Sequence, residues 1–204
     1  INKDYEKFIE NVLFGMEQYI GYPLTTYPTF NVSSDGQTVI DSLDSRTFPQ
    51  LWLRRYQESV YQEDLFLSRI SFLRASVEGK AFYKIEDIST PEEFYASGYG
   101  KALLENGTPH QITIIGPTEV ALPLHVLCVF KTAQQGPFTP YELGILEKVS
   151  AVFREGVRLY KRFLSANIFG SFLDAQIKSA GVGLEIIDEQ KNIIYHNQEI
   201  DQVL

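Results

Sequence analysis

One cysteine, Cys128, is all that 204 residues contain, so no internal disulfide framework holds this chain. Histidine is scarce too: His110, His125 and His196 show no spacing with Cys128 of the kind a zinc site needs. His125 and Cys128 lie three apart on a β-rich run, and strand residues at that separation point to opposite faces, so the two cannot reach one ion. No metal and no cofactor is expected. Long apolar runs are also missing. None approaches a bilayer span, and the N-terminus lacks the basic-then-apolar order of a signal peptide. The expected compartment is therefore the cytoplasm, with no membrane partner, and the sequons at Asn31 and Asn106 carry no weight without a secretory signal. Positive charge is in deficit: 18 Lys and Arg against 26 Asp and Glu give a net charge of −8. Nonspecific nucleic-acid affinity comes from clustered cations, so no direct nucleic-acid contact by this stretch is expected. The one basic stripe, Arg154, Arg158, Lys161 and Arg162, is interleaved with Glu147 and Glu155 and reads as a solvated helix face. Repeats and low-complexity segments are absent. The chain begins at Ile1 rather than Met and is expected to be a piece of something longer.

Catalytic sets are missing as well. There is no Gly-x-Ser-x-Gly elbow, and Gly98-Tyr99-Gly100 lacks the third glycine and the preceding strand of a dinucleotide fingerprint. No acidic pair has a spacing that argues for general acid and base, and Asp41, Asp44 and Asp87 serve as turn and cap residues. The chain is read as non-enzymatic, with no catalytic residue.

What is present begins with the stretch from Leu122 to Phe163. Leu122, Leu124, Val126, Cys128 and Phe130 alternate with Pro123, His125, Leu127 and Val129, so both faces of this strand are mostly apolar and it belongs at the centre of a sheet. After Gly136-Pro137, Thr139 is an N-cap with Pro140 at N1 and Glu142 at N3, a capping box, while Phe138 and Leu143 form a hydrophobic staple. Leu143, Leu146, Val149, Ser150, Phe153, Val157, Tyr160 and Leu164 then make one apolar stripe, which packs on the sheet or on a second copy of itself.

Upstream, Lys3 to Tyr19 reads as an amphipathic helix carrying Tyr5, Phe8, Ile9, Val12, Leu13, Met16 and Ile20. Thr25–Val32 and Thr38–Leu43 are strands around the hairpin signal Asp35-Gly36. A helix from Pro49 presents Leu51, Trp52, Tyr56, Val60 and Tyr61 on one side. Leu65 to Val77 is ambiguous between helix and strand. Lys80–Ile85 alternates as a strand, and Thr90-Pro91-Glu92-Glu93 is a second capping box, launching one helix to about Glu105. His110–Ile115 and Val120–Lys131 pair antiparallel. Helix-compatible sequence continues to Ala180, and Gly181–Ile187 and Asn192–Tyr195 form a further hairpin. The fold class is α+β, an antiparallel sheet of about five or six strands with helices on its faces and a long C-terminal helix.

The order of elements and several motifs, over roughly residues 5 to 164, resemble the GAF-type sensory domains found upstream of LuxR-type helix-turn-helix regulators. The residues are Tyr61-Gln62-Glu63-Asp64-Leu65-Phe66, where the family often has Asp-Pro; Gly79 with Glu86-Asp87-Ile88-Ser89; Ser97-x-Tyr99 with Gly107; and Gly136-Pro137-Phe138-Thr139-Pro140-Tyr141-Glu142. Leu65 departs from the usual proline. The stretch from Gly183 to Asn197 resembles the opening hairpin of a PAS domain. The resemblance implies a GAF-like sensory domain over 1–164, a helical linker over 165–180 and the start of a PAS-like domain over 181–204, with the effector outside the chain.

The composition is also aromatic, with 12 Tyr, 14 Phe and one Trp. Pockets for small molecules favour aromatic walls with polar tips, and core packing is the alternative. In the GAF-type domains that this chain resembles, the cavity lies between one sheet face and its helices. That implicates Trp52, Tyr56, Tyr83, Phe94, Tyr95, Tyr99 and His125 as ligand-binding residues. Three functions follow. The first is a non-enzymatic small-molecule sensor of a bacterial signalling or transcription-regulatory protein, relaying occupancy along the long helix and forming a homodimer through it. The second is a ligand-free dimerisation and relay module, and the third a small-metabolite reductase using Cys128.

Overall fold

The structure is a computed structural model that describes residues 2–32, 38–70, 82–117, 123–179, 185–187 and 193–196, with side chains described within residues 6–163. The elements are α1 (Asn2–Gly15), β1 (Thr25–Val32), β2 (Thr38–Asp44), α2 (Gln50–Glu58), α3 (Leu65–Arg69), β3 (Phe82–Lys84), α4 (Pro91–Ala96), α5 (Gly98–Glu105), β4 (His110–Ile115), β5 (Leu124–Lys131), α6 (Pro140–Ser179), β6 (Glu185–Ile187) and β7 (Ile193–His196). Two compact units divide the chain at residues 158 and 159. The smaller contains the antiparallel β6–β7 hairpin. The expected turns at Asp35-Gly36 and Asp188–Lys191, most of the ambiguous stretch (71–77), and Leu122 lie outside the described residues, as does the side chain of Leu164.

In the larger unit, one five-stranded antiparallel sheet has the order β2-β1-β5-β4-β3. This is the expected α+β arrangement, an antiparallel sheet with helices on its faces. β5 is central, and all eight of its residues are buried, as its two apolar faces require. Period-2 alternation sends Leu124, Val126, Cys128 and Phe130 to one face and Leu127 and Val129 to the other. The first face is covered by α2 to α5 through Trp52, Leu53, Tyr56, Phe66, Phe94, Tyr99 and Leu103. The second is covered by α1, through Ile9, Leu13 and Met16, and by α6, through Leu146, Phe153 and Val157. The stripe on α6 therefore packs on the sheet, one of its two expected partners.

The start of α6 is built as its sequence specifies. Glu142 N donates to Thr139 Oγ1 at 3.3 Å, and Thr139 N donates to Glu142 Oε2 at 2.7 Å, closing the capping box. Glu142 also accepts from Lys131 Nζ at 2.9 Å, and that ammonium lies 5.4 Å from the centre of the Phe138 ring. A charged clasp thus joins the end of β5 to the first turn of α6.

Four local expectations change. The helix expected from Thr90 to Glu105 is two helices, because Ser97 re-caps the chain: its hydroxyl donates to Phe94 O at 2.7 Å and accepts from Gly100 N at 3.0 Å. At Thr90 only half of the capping box forms, since the Glu93 carboxylate turns to Arg69 instead of back to the Thr90 N–H. Leu51, placed on the apolar side of α2, is 80 % exposed, and Leu53 is buried in its stead. Lys161 is buried rather than on a solvated stripe, whereas Arg158 and Glu155 pair on the surface.

Candidate functional site

Aromatic side chains from three helices converge on the β5 face carrying Cys128. Trp52 stacks on Tyr56 with centroids 5.4 Å apart, Tyr56 meets Tyr99 edge-on at 5.8 Å, and Phe94 contacts Tyr99 at 5.9 Å and Tyr95 at 5.4 Å. Tyr83, from the edge strand β3, joins the same apolar cluster. Six of the seven expected residues are therefore brought together. Aromatic pairs of this kind are worth roughly 0.5–1.5 kcal/mol each beyond their burial, so the contacts reinforce one another.

His125 is on the other face of the sheet. Its Nδ1 lies 2.9 Å from the Tyr27 hydroxyl, and Tyr27 packs on Phe153 of α6. Alternation along β5 makes this unavoidable once Cys128 faces the aromatic helices.

A residue outside the expected set supplies the polar centre. Asp64 precedes the apolar run Leu65-Phe66-Leu67, and it caps α3: Oδ1 accepts from Phe66 N at 2.9 Å while Oδ2 accepts from the Tyr56 hydroxyl at 2.8 Å. The residue is 4 % exposed, and among the described residues no cation pairs with it. Burial pushes its carboxyl up to about 6, against the opposing pull of the Tyr56 hydroxyl and the Phe66 and Leu67 N–H groups. Burial, and then the Asp64 charge, also push Tyr56 and Tyr99 well above the ordinary tyrosine range. The sequence signal for Asp64 was the Asp-Leu-Phe N-cap pattern, with the tyrosine of α2 eight residues earlier.

The sheet beneath is polar in one row. Thr26, Cys128 and Thr113 stand side by side on three paired strands. Gln111 accepts from the Tyr99 hydroxyl at 2.6 Å and donates to Thr113 Oγ1 at 2.9 Å. Burial, then the Asp64 charge, push the Cys128 thiol up to about 12. Protonated at neutral pH, it is a weak hydrogen-bonding group rather than a nucleophile.

In front of Asp64 a cleft of about 540 Å³ opens between β2 and the α2–α3 connection, lined by Thr38, Val39, Tyr61, Gln62, Asp64, Leu67 and Ser68. None of the seven expected residues lines it. Asp64 is the bridge, facing the cleft and bonded to Tyr56 of the aromatic assembly behind. Among the described residues no three His, Cys, Asp or Glu side chains are grouped to hold a metal ion, and no helix is long and apolar enough to cross a membrane.

No protein-family model and no curated protein matches the sequence. Solved structures are similar in fold. "SdiA in complex with octanoyl-rac-glycerol" gives a TM-score of 0.52 at 14% identity, over 78% of this chain and 59% of that chain. The VqsR LBD domain from Pseudomonas aeruginosa gives 0.48 at 14% identity, over 77% and 93%. A GAF domain/HD domain protein from Geobacter sulfurreducens gives 0.42 at 12% identity, over 75% and 93%. The chain thus spans 59% of the SdiA chain, and what it shares with that protein is the α+β fold.

Proposed function

We propose that this chain is the small-molecule-sensing part of a bacterial signalling or transcription-regulatory protein, and that its ligand is small and partly apolar or aromatic. The observation that carries the reading is Asp64. A carboxylate buried without a cation is costly, and it is retained here at the wall of a ligand-sized cleft, hydrogen-bonded to the aromatic set. A ligand in the cleft offers Asp64 a donor and an apolar body to Tyr61, Val39 and Leu67. Its presence is then read by Tyr56 and, through ring contacts, by Trp52, Tyr99, Phe94 and Tyr95, with Tyr83 at the cluster's edge. The fold shared with SdiA, a protein solved with an acylated glycerol, supports a ligand that combines a chain with a polar head.

In this reading residues 1–164 are a GAF-like sensory domain, 165–180 a helical linker and 181–204 the start of a PAS-like domain leading to an effector, of which a LuxR-type helix-turn-helix is the favoured kind. Occupancy shifts the population between two packings of α6. The homodimer runs through the part of α6 beyond Arg158, where Leu159 and Phe163 are exposed.

The test is a screen of amphipathic metabolites by thermal shift and by Trp52 emission, repeated on D64N. A ligand that stabilises the wild type by several degrees and loses that effect in D64N supports the proposal. A screen in which nothing stabilises the chain sinks it.

One observation favours the ligand-free alternative: the rings behind Asp64 are already in mutual contact, so the aromatic face is packed core. Sedimentation decides for that alternative if the unliganded chain is a tight dimer and the screen is blank. The reductase reading loses its nucleophile, since the Cys128 thiol is buried and protonated.

A further inference from the structure

The opposite face of the sheet has its own opening. α1 and α6 lie side by side on it without closing, and the slot between them, about 420 Å³, reaches down to Leu127 of the central strand. Its walls are Val12, Met16 and Ile20 on one side and Ile145, Val149 and Val152 on the other. No residue lining the slot lines the Asp64 cleft or belongs to the aromatic set behind it. Val152 is 74 % exposed and Tyr19, at the rim, 79 % exposed.

Two features go beyond an uncovered apolar strip. The first wall continues from α1 into a π-helical turn, Met16–Ile20, and such turns are rare and recur at functional sites. It ends at Gly21, whose φ of +84° suits glycine. The second feature is charge. In a chain with a net charge of −8, Lys148 is the only charged residue lining the slot among the described residues, and it makes no ion pair with any of them. From Asn11 to Ile20 the slot runs on the order of 12 Å, the π-helical turn rising less per residue than the 1.5 Å of an α-helix, and this is the length of a medium acyl chain.

We propose that this slot is a second binding site, for a free medium-chain fatty carboxylate: the tail lies between α1 and α6 over Leu127, and the carboxylate meets the Lys148 ammonium at the mouth. Met16 suits the role, because an unbranched thioether adapts to a chain of variable position. The site stands on residues separate from Asp64 and its cleft, and so does not depend on the sensing proposal.

The chain supplies its own reporters. Met16 is the only methionine and lines the slot, while Trp52 is the only tryptophan and lies on the other face. The experiment titrates the full 204-residue chain with sodium decanoate below its micelle threshold, following the ¹³C-methyl signal of Met16 and the emission of Trp52. The expected result is a saturable Met16 shift with Trp52 unmoved. It weakens about tenfold for each two carbons removed from the tail. In K148E, an exposed substitution that leaves the melting temperature unchanged, it weakens about fivefold. The proposal is overturned by the absence of a saturable shift, by a shift indifferent to tail length, or by one that K148E leaves intact. It is equally overturned if Met16 responds only to protein concentration, the sign of a second copy in the slot, or only to anionic vesicles. A Trp52 response with Met16 silent overturns this site and supports the Asp64 one, so the two failures are distinguishable.

Discussion

The Tyr56 hydroxyl donates a 2.8 Å hydrogen bond to Asp64 Oδ2, tying α2 to the first turn of α3 inside the aromatic face. Both residues are buried. A mutant cycle measures what the bond contributes. Y56F leaves a buried carboxylate short of one donor and should cost about 1–3 kcal/mol in urea unfolding at pH 7. In the D64N background the same change should cost less, and a coupling near zero would show that the bond contributes nothing.

Asp64 also makes stability fall with pH. Its folded value of about 6 lies above the ordinary 3.8, so the folded state binds the proton more tightly than the unfolded chain. The stability this contributes is complete below about pH 4 and is lost as pH rises through about 6. Two units correspond to about 3 kcal/mol. The difference in unfolding free energy between wild type and D64N should shrink by that order between pH 4 and pH 7, and a constant difference would refute the shift.

Glu142 acts with the opposite sign. Burial favours its protonation, but the Thr139 N–H and the Lys131 ammonium prevail and hold it at about 2. Its contribution is present above about pH 4.5 and is lost as pH falls through about 2. E142Q should flatten the acid limb of the stability profile and cost about 2–3 kcal/mol at pH 7, since it also leaves Lys131 without its partner. T139A, which removes only the cap hydroxyl, should cost about 1 kcal/mol.

Gly100 is where the chain passes too close for a side chain. A Cβ there would lie 2.0 Å from Phe94 O, a backbone atom fixed by Ser97. G100A should destabilise by about 3 kcal/mol or more, visible as a large drop in melting temperature. Gly144, on α6, has nothing within 4 Å of its Cβ position, so G144A should stabilise by up to about 1 kcal/mol. Equal effects from the two would contradict the geometry.

Local chemistry in the sequence was enough for much of the fold. Alternation along Leu124 to Phe130 identified the central strand, Thr139 to Leu143 announced the long helix, and the runs flanking Asp35-Gly36 identified β1 and β2, because each of these signals acts between neighbours in the chain. The same alternation separates His125 from Cys128. Which face receives the aromatic helices is another matter. It depends on where α2 to α5 cross the sheet, and that put His125 beside Tyr27 rather than beside Trp52. Asp64 became the polar centre only when Tyr56 came within reach of a cap residue, whereas the break at Ser97 is local, its hydroxyl bonding only to residues three away on either side. The slot between α1 and α6 likewise arises from how two helices settle on one sheet face. The placing of His125 and the slot are set by packing between segments distant in sequence, to which no pattern along the chain is sensitive.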